Sequence, residues 1–279
     1  MEAHNGLTAR LVEEAGFSAV WASGLSIAAS LGVRDCNEAS WTQVLEVVEF
    51  MADAVSIPVL MDGDTGYGDF NNLRRFVARA ERVGIAGVCI EDKRFPKTNS
   101  FLERSRQQLA PLDEFCGKIR AARSVRVHDD FVFVARTEAF IAGLGADAAL
   151  ERGAAYVDAG ADALLVHSKR DDAADIRAFM AGWDGSAPVI VVPTTYPQVE
   201  MREFLAMGVT NVIYANHTLR TIIRAVQESL QTLRAAACVG AVEDRIAPLS
   251  EVFRLQNSSE LDEARARYSS SASSTEQGE

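Results

Sequence analysis

Residues 89–100, CIEDKRFPKTNS, change character within two positions: the apolar run from Val88 to Ile90 gives way to Glu91 and Asp92, then to Lys93, Lys97 and Asn99. Other apolar runs end the same way. IPVLMD (57–62) opens into DGDTGYG with Asp62 and Asp64, FVFVAR (131–136) ends in Arg136 with Glu138 beyond it, and ALLVHS (163–168) ends near His167. Asp62, Asp64 and Glu91 are hard oxygen donors, and carboxylates brought together repel unless a cation lies among them. Oxygen-only donors suit Mg2+, which keeps several of its waters. Arg136 offers a rigid fork to a phosphoryl or carboxylate group, His167 adds a second cationic or hydrogen-bonding group, and Ser23-Gly24-Leu25 offers backbone N–H groups to an anion. A metal beside anion-binding groups points to a small, multiply charged anionic substrate. The polar stretch after Glu91 reads as a lid that brings Lys97 and Asn99 to that substrate and excludes water.

Each of these residues also has a plainer reading. A loop acid caps a helix or pairs with a cation, Arg136 pairs with Glu138, His167 is a satisfied interior histidine, Ser23-Gly24-Leu25 is a turn, and DKRFPKTNS is a solvated charged loop. What favours chemistry is recurrence at the ends of successive apolar runs.

The elements that would position these groups repeat one phrase: a helix-like run, a glycine, then an apolar strand. It occurs as VEEAGFSAVWAS (12–23), AERVGIAGVCIED (80–92), YVDAGADALLVHS (156–168) and FLAMGVTNVIYAN (204–216). The glycine falls where a helix C-terminus takes a left-handed residue, and unbroken apolar strands mark a parallel sheet covered on both faces. With IPVLMD, FVFVAR, PVIVVP (188–193) and the opening MEAH, eight strands alternate with amphipathic helices over 41–54, 71–83, 111–123, 146–158, 173–182, 199–207 and 217–237. This predicts a (β/α)8 TIM-type barrel, with its chemistry at the C-terminal ends of the strands. No GxGxxG follows the first strand, which weakens a dinucleotide-binding alternative. Residues 1–268 are expected to form a single domain ending in an additional helix over 249–268, and 269–279, SSSASSTEQGE, a disordered polar tail.

The bulk properties agree. The chain has 279 residues, 48% hydrophobic, enough for one large core. A net charge of −11 argues against nucleic acid and bare anionic membrane as partners. No apolar run has the length of a membrane span and the start lacks a signal-peptide pattern. The four cysteines are scattered, without zinc or disulfide spacing, so a cytoplasmic setting is expected.

The motifs MEAHNGL, WASGLS, LGVRDCNEASW, DGDTGYGDFNN, EDKRFPKTNS, ARTEAFIAG, VHSK, VPTTYP and FRLQ occur in order from residue 1 to about 256. In them the chain resembles the phosphoenolpyruvate mutase family of the isocitrate lyase superfamily. The lyase branch carries a catalytic cysteine in the lid, and this lid has none. The resemblance implies interconversion of phosphoenolpyruvate and 3-phosphonopyruvate by intramolecular phosphoryl transfer, making or breaking a C–P bond, for phosphonate biosynthesis. It implies Asp62 as the direct Mg2+ ligand, with Asp35, Asp64 and Glu91 acting mainly through water. Ser23, Gly24 and Leu25 would position the pyruvyl part against Trp21. Arg136, His167 and Asn99 would bind the phosphoryl group, and Lys97 would latch the lid. It also implies a homotetramer, a dimer of dimers whose last helices are exchanged. Related phosphonopyruvate hydrolases carry threonine at the lid position of Asn99, so Asn99 favours mutase over release of pyruvate and phosphate. Members usually have a helix and the start of the first strand before MEAHNGL. A chain without them is expected to show unpaired edges at its first strand, which keeps a non-catalytic barrel in view.

Overall fold

A computed structural model describes residues 1–100 and 107–269 of the chain. Eight parallel strands lie in sequence order in one curled sheet. They are β1 (Glu2–Ala3), β2 (Val20–Ala22), β3 (Val59–Asp62), β4 (Gly87–Glu91), β5 (Val132–Thr137), β6 (Ala163–Val166), β7 (Val189–Val191) and β8 (Asn211–Val212). Helices α1 (Gly6–Glu14), α2 (Gly24–Ser30), α3 (Trp41–Ala54), α4 (Phe70–Arg82), α5 (Leu112–Arg123), α6 (Ala139–Ala142), α7 (Gly145–Asp158), α8 (Ala174–Gly182) and α9 (Met201–Ala206) alternate with them, and α10 (His217–Ala236) follows β8. This is the expected (β/α)8 barrel.

The helix starts are written locally. Ser40 and Gln43 close a capping box on α3, and Asp69 and Asn72 do so on α4. The repeated glycines Gly16, Gly84, Gly160 and Gly208 have φ of 82°, 80°, 108° and 89°, the left-handed turn from helix into the next strand. Strands are apolar on both sides because both sides are buried. Outward residues such as Val59, Met61 and Val88 pack on helix residues such as Phe76 and Val77. Inward residues Trp21, Cys89, Val134, Leu165, Ile190 and Ile213 fill the barrel.

The first strand is paired on both sides, against the expectation of open edges. Glu2 and Ala3 pair with Trp21 and Ala22, and the Glu2 N–H donates to the Tyr214 carbonyl at 2.9 Å. The Glu2 carboxylate is buried and accepts from the Thr218 and Leu219 N–H groups at 2.9 and 3.2 Å, with His4 Nδ1 at 2.8 Å. Burial pushes its pKa up, but the His4 and Leu219 hydrogen bonds outweigh this and hold it below the ordinary 4.5. Its contribution to stability is therefore complete above pH 4.5 and is lost as pH falls through the lower folded-state value. Glu2→Ala is expected to cost about 2 kcal/mol at neutral pH. That lowers the thermal midpoint by about 6 °C, with the gap to wild type narrowing in melts run below pH 4.5.

The chain divides into a unit from Met1 to Leu219 and a second from Arg220 onward. In the second, α10 runs on to Ala236, two short 3-10 turns follow, and α11 (Leu249–Leu255) and α12 (Ser258–Tyr268) end the described chain. The single helix expected over 249–268 is thus two, because Asn257 takes a left-handed φ of 54° between them. Of the expected tail 269–279, residues 270–279 lie outside the described residues.

Candidate active site

The strand period of two places the chemistry. On each central strand an inward apolar residue is followed two positions later by a functional one: Leu60 by Asp62, Cys89 by Glu91, Val134 by Arg136, Leu165 by His167. These groups therefore form a layer directly above the apolar barrel filling. Register sets their neighbours, with Glu91 opposite Arg136 across β4 and β5. The empty space above this layer, open solvent at its mouth included, is about 550 Å³. Trp21, Ser23, Leu25, Asp35, Asp62, Lys97, Asn99, Arg136 and His167 all line it. Gly24, Asp64 and Glu91 stand behind the wall. The Gly24 N–H donates to Asp62 Oδ2 at 3.3 Å, and a Cβ on Gly24 would lie 3.2 Å from both Asp62 Oδ2 and Asp64 Oδ1, so a larger residue would crowd both acids.

One side of the pocket is acidic and is met by the arm that leaves β4. Lys97 Nζ donates to Asp35 Oδ1 at 2.8 Å and Asp64 Oδ1 at 2.5 Å, and Asn99 Nδ2 donates to Asp35 Oδ2 at 2.9 Å. Burial pushes the Asp64 carboxyl up to about 7, with Lys97 pulling the other way and Asp62 and Asp35 adding to the rise. Burial alone would lower Lys97, but Asp64, Asp62 and Asp35 hold it well above its ordinary value, so it stays an ammonium. Asn37 was not singled out from sequence. Its Nδ2 donates to Asp64 Oδ2 at 2.8 Å, and its Oδ1 accepts the Lys97 N–H at 2.7 Å, joining acid and arm.

The opposite side is cationic, and Glu138 organises it. Arg136 Nε donates to Glu138 Oε1 at 2.6 Å, and His167 Nδ1 lies 2.6 Å from the same oxygen and 2.8 Å from Arg136 Nη2. Glu138 Oε2 accepts from Ser100 Oγ at 2.7 Å and faces Lys93 Nζ at 3.0 Å. Burial would raise the Glu138 pKa, but Arg136, His167 and Lys93 hold it well below the ordinary range. Burial lowers His167 below its ordinary value despite Glu138. Arg136 is therefore both the ion-pair partner of Glu138 and a pocket residue, the two readings that sequence set against each other. Glu138, Lys93 and Ser100 escaped sequence reasoning as site residues; the one signal was the spacing of Glu138 from Arg136. Asn216 lines the pocket as well, whereas His217 lies edge-on to Tyr214 away from it. Asp92, the neighbour of Glu91, faces outward from the barrel and pairs with Arg152.

The acids fit a divalent cation. Among the described residues both buried Glu91 oxygens lack a hydrogen-bond partner, and Arg136 Nη2 at 3.3 Å and Lys93 Nζ at 3.6 Å form ion pairs with them. Asp62 receives long bonds, from Gly24 N at 3.3 Å and Asp64 N at 3.4 Å. Buried carboxylates short of hydrogen bonds are costly even beside a cation. Among the described residues no three His, Cys, Asp or Glu side chains stand close enough to enclose a metal by themselves.

A family model described as phosphoenolpyruvate phosphomutase matches residues 1–234. The chain is 53% identical over 268 residues to a phosphoenolpyruvate phosphomutase of Tetrahymena pyriformis, covering 96% of this chain and 89% of that one. The crystal structure of a phosphoenolpyruvate phosphomutase from Streptomyces platensis subsp. rosaceus superposes with a TM-score of 0.94 at 48% identity, covering 96% of this chain and 93% of that one. A phosphonopyruvate hydrolase crystallised with oxalate and Mg2+ superposes with a TM-score of 0.91 at 40% identity, covering 96% and 93%.

Proposed function

The chain belongs to the phosphoenolpyruvate phosphomutase family, and from that premise we propose that it is an isomerase that moves a phosphoryl group between the oxygen and the terminal carbon of one pyruvate enolate. Phosphoenolpyruvate and 3-phosphonopyruvate are then its two substrates, in the service of phosphonate biosynthesis. The observation that carries the reading is a single pocket walled by Asp62 and Asp35 on one side and by Arg136 and His167 on the other, with Asn99 on the arm beside them.

Phosphoryl transfer with a loose transition state needs positioning and charge stabilisation more than a strong nucleophile. Arg136, its Nε fixed by Glu138, brings its positive charge to the phosphoryl oxygens, and His167 adds a second contact. Asn99 donates through an amide that cannot take a proton from water, so it holds the group without activating a competing nucleophile. Ser23, Gly24 and Leu25 orient the pyruvyl part against the face of Trp21. Lys97, paired with Asp35 and Asp64, holds the arm at the acidic wall. Asp62, Asp35, Asp64 and Glu91 would hold Mg2+, which would supply positive charge to stabilise the enolate.

Purified protein given phosphonopyruvate and Mg2+ is expected to form phosphoenolpyruvate as the main early product by phosphorus NMR. Free phosphate and pyruvate in its place would reject the mutase reading in favour of hydrolase. Asn99→Thr is expected to raise the ratio of phosphate to phosphoenolpyruvate about tenfold, equal to about 1.4 kcal/mol between the two barriers; an unchanged ratio removes Asn99 from this role.

The same family reading extends to a homo-oligomer, a dimer of dimers with exchanged C-terminal helices. In support, the second unit exposes Leu230, Leu249, Phe253 and Leu261, apolar surface that a second copy would cover.

A further inference from the structure

Behind the pocket wall lies a buried polar cluster that no step above uses. Asp92 and Tyr156 are fully buried, and neither lines the pocket. Tyr156 Oη donates to Asp92 Oδ2 at 2.5 Å, and Arg152 Nη1 donates to that oxygen at 3.1 Å and to Tyr156 Oη at 2.9 Å. Tyr156 and Arg152 sit one turn apart on α7, and the Tyr156 ring packs on Phe115 of α5.

Two connections leave this cluster. The first reaches the root of the arm. The Ala110 N–H donates to the Asp92 carbonyl at 2.8 Å, the Arg94 N–H donates to the Gln108 carbonyl at 3.0 Å, and Lys93 and Leu109 form an antiparallel bridge. Arg152 holds both sides of this root, since its Nη2 donates to the Ala110 carbonyl at 3.2 Å while its Nη1 holds Asp92. The second reaches the phosphoryl-binding wall. The Glu138 N–H donates to Asp92 Oδ1 at 2.9 Å, and the Asp92 N–H donates to the Arg136 carbonyl at 3.1 Å. One carboxylate therefore fixes both the base of the arm carrying Lys97 and Asn99 and the backbone of the residue that orients Arg136 and His167.

We propose that Asp92, Arg152 and Tyr156 form a positioning node that sets the arm against the Arg136–Glu138–His167 wall and so controls whether the migrating phosphoryl group is returned to the enolate or lost to water. The inference rests on the mutase reading above. The lost branch breaks the C–P bond of phosphonopyruvate and leaves its electron pair on the enolate. The carbon then takes a proton from solvent to give pyruvate, while a water oxygen bonds to phosphorus and its proton passes to solvent. None of the three residues touches substrate. They act through the placement of Asn99 and Glu138, which hydrogen-bond geometry must hold to a fraction of an ångström for the return step to outrun water.

Tyr156→Phe keeps the ring on Phe115 and removes only the hydroxyl, and Arg152→Lys keeps the charge and removes the fork. Each is compared with wild type in two measurements. Phosphorus NMR gives the ratio of phosphate to phosphoenolpyruvate formed from phosphonopyruvate with Mg2+. Hydrogen–deuterium exchange, with Mg2+ and oxalate present, reads the amides of Arg94 and Ala110. Both variants are expected to raise the phosphate ratio about fivefold and to speed exchange at these two amides about tenfold. A purely structural cluster would lower the melting temperature and the active fraction and leave the ratio unchanged, and an unchanged ratio in both folded variants overturns the proposal. If the wild type itself yields phosphate from the start, the mutase reading fails separately, and the exchange rates alone decide whether the node fixes the arm: unaltered exchange overturns it.

Discussion

Arg136→Lys is expected to lower kcat/KM by about 10³-fold while the protein stays folded. The substitution keeps the charge and removes the fork. In the structure one guanidinium reaches Glu138 through Nε at 2.6 Å and meets His167 and Ser100 through Nη2 at 2.8 and 3.3 Å. Glu91 lies 3.3 Å from the same Nη2. A lysine ammonium is a point charge on a flexible stem. It still neutralises Glu138 or Glu91, so the buried carboxylates keep a counter-charge, but it cannot span Glu138 and His167 while facing the substrate. The loss falls on the transition state, where charge spreads over the phosphoryl oxygens. The check is steady-state turnover of phosphonopyruvate beside a thermal melt. A loss of less than about tenfold with an unaltered melt would show that the fixed guanidinium does not hold the phosphoryl group.

The second large effect concerns the acidic wall. Wild-type protein with Mg2+ and oxalate, taken as one bound complex at about a hundred times its dissociation constant, is expected to gain about 2.7 kcal/mol. For a chain of this size that raises the melting temperature by about 5–10 °C. Asp62→Asn is expected to remove both this shift and detectable turnover. Asp62 lines the pocket and, among the described residues, receives only the long Gly24 and Asp64 N–H bonds, so an amide there preserves packing and removes the charge that a divalent ion requires. A full shift in Asp62→Asn would place the ion elsewhere in the acidic cluster.

The frame was open to reading from sequence where periodicity and caps act locally. The helix over 41–54 is found at Trp41–Ala54, because the Ser40 and Gln43 pair that starts it is local. The glycine phrase located four helix-to-strand turns for the same reason. The helix break at Asn257 was hidden, since asparagine adopts a left-handed conformation without announcing it in the pattern. The two-sided pairing of β1 was hidden as well, because its closing contacts come from Tyr214, Thr218 and Leu219, more than two hundred residues away in the chain. Within the site, strand-end residues were legible because each follows an inward apolar residue by two places. Asn37 was not, because its two partners come from different loops. Glu138 was visible as the neighbour of Arg136, but only folding shows one carboxylate shared by Arg136, His167, Ser100 and Lys93.

Glu91, the last residue of β4, and Asp92, the next one, are adjacent carboxylates aimed to opposite sides: the first looks into the barrel toward Arg136, the second out toward Arg152 and Tyr156. Adjacent letters of the sequence thus answer to separate sets of neighbours. Across descendants of this gene, changes at 91 should be accompanied by changes among the mouth residues, and changes at 92 by changes at 152 and 156, with little correlation between 91 and 92. An insertion or deletion of one codon in this strand would exchange the two audiences and silence both, so length variation is expected to be absent here long before substitution is.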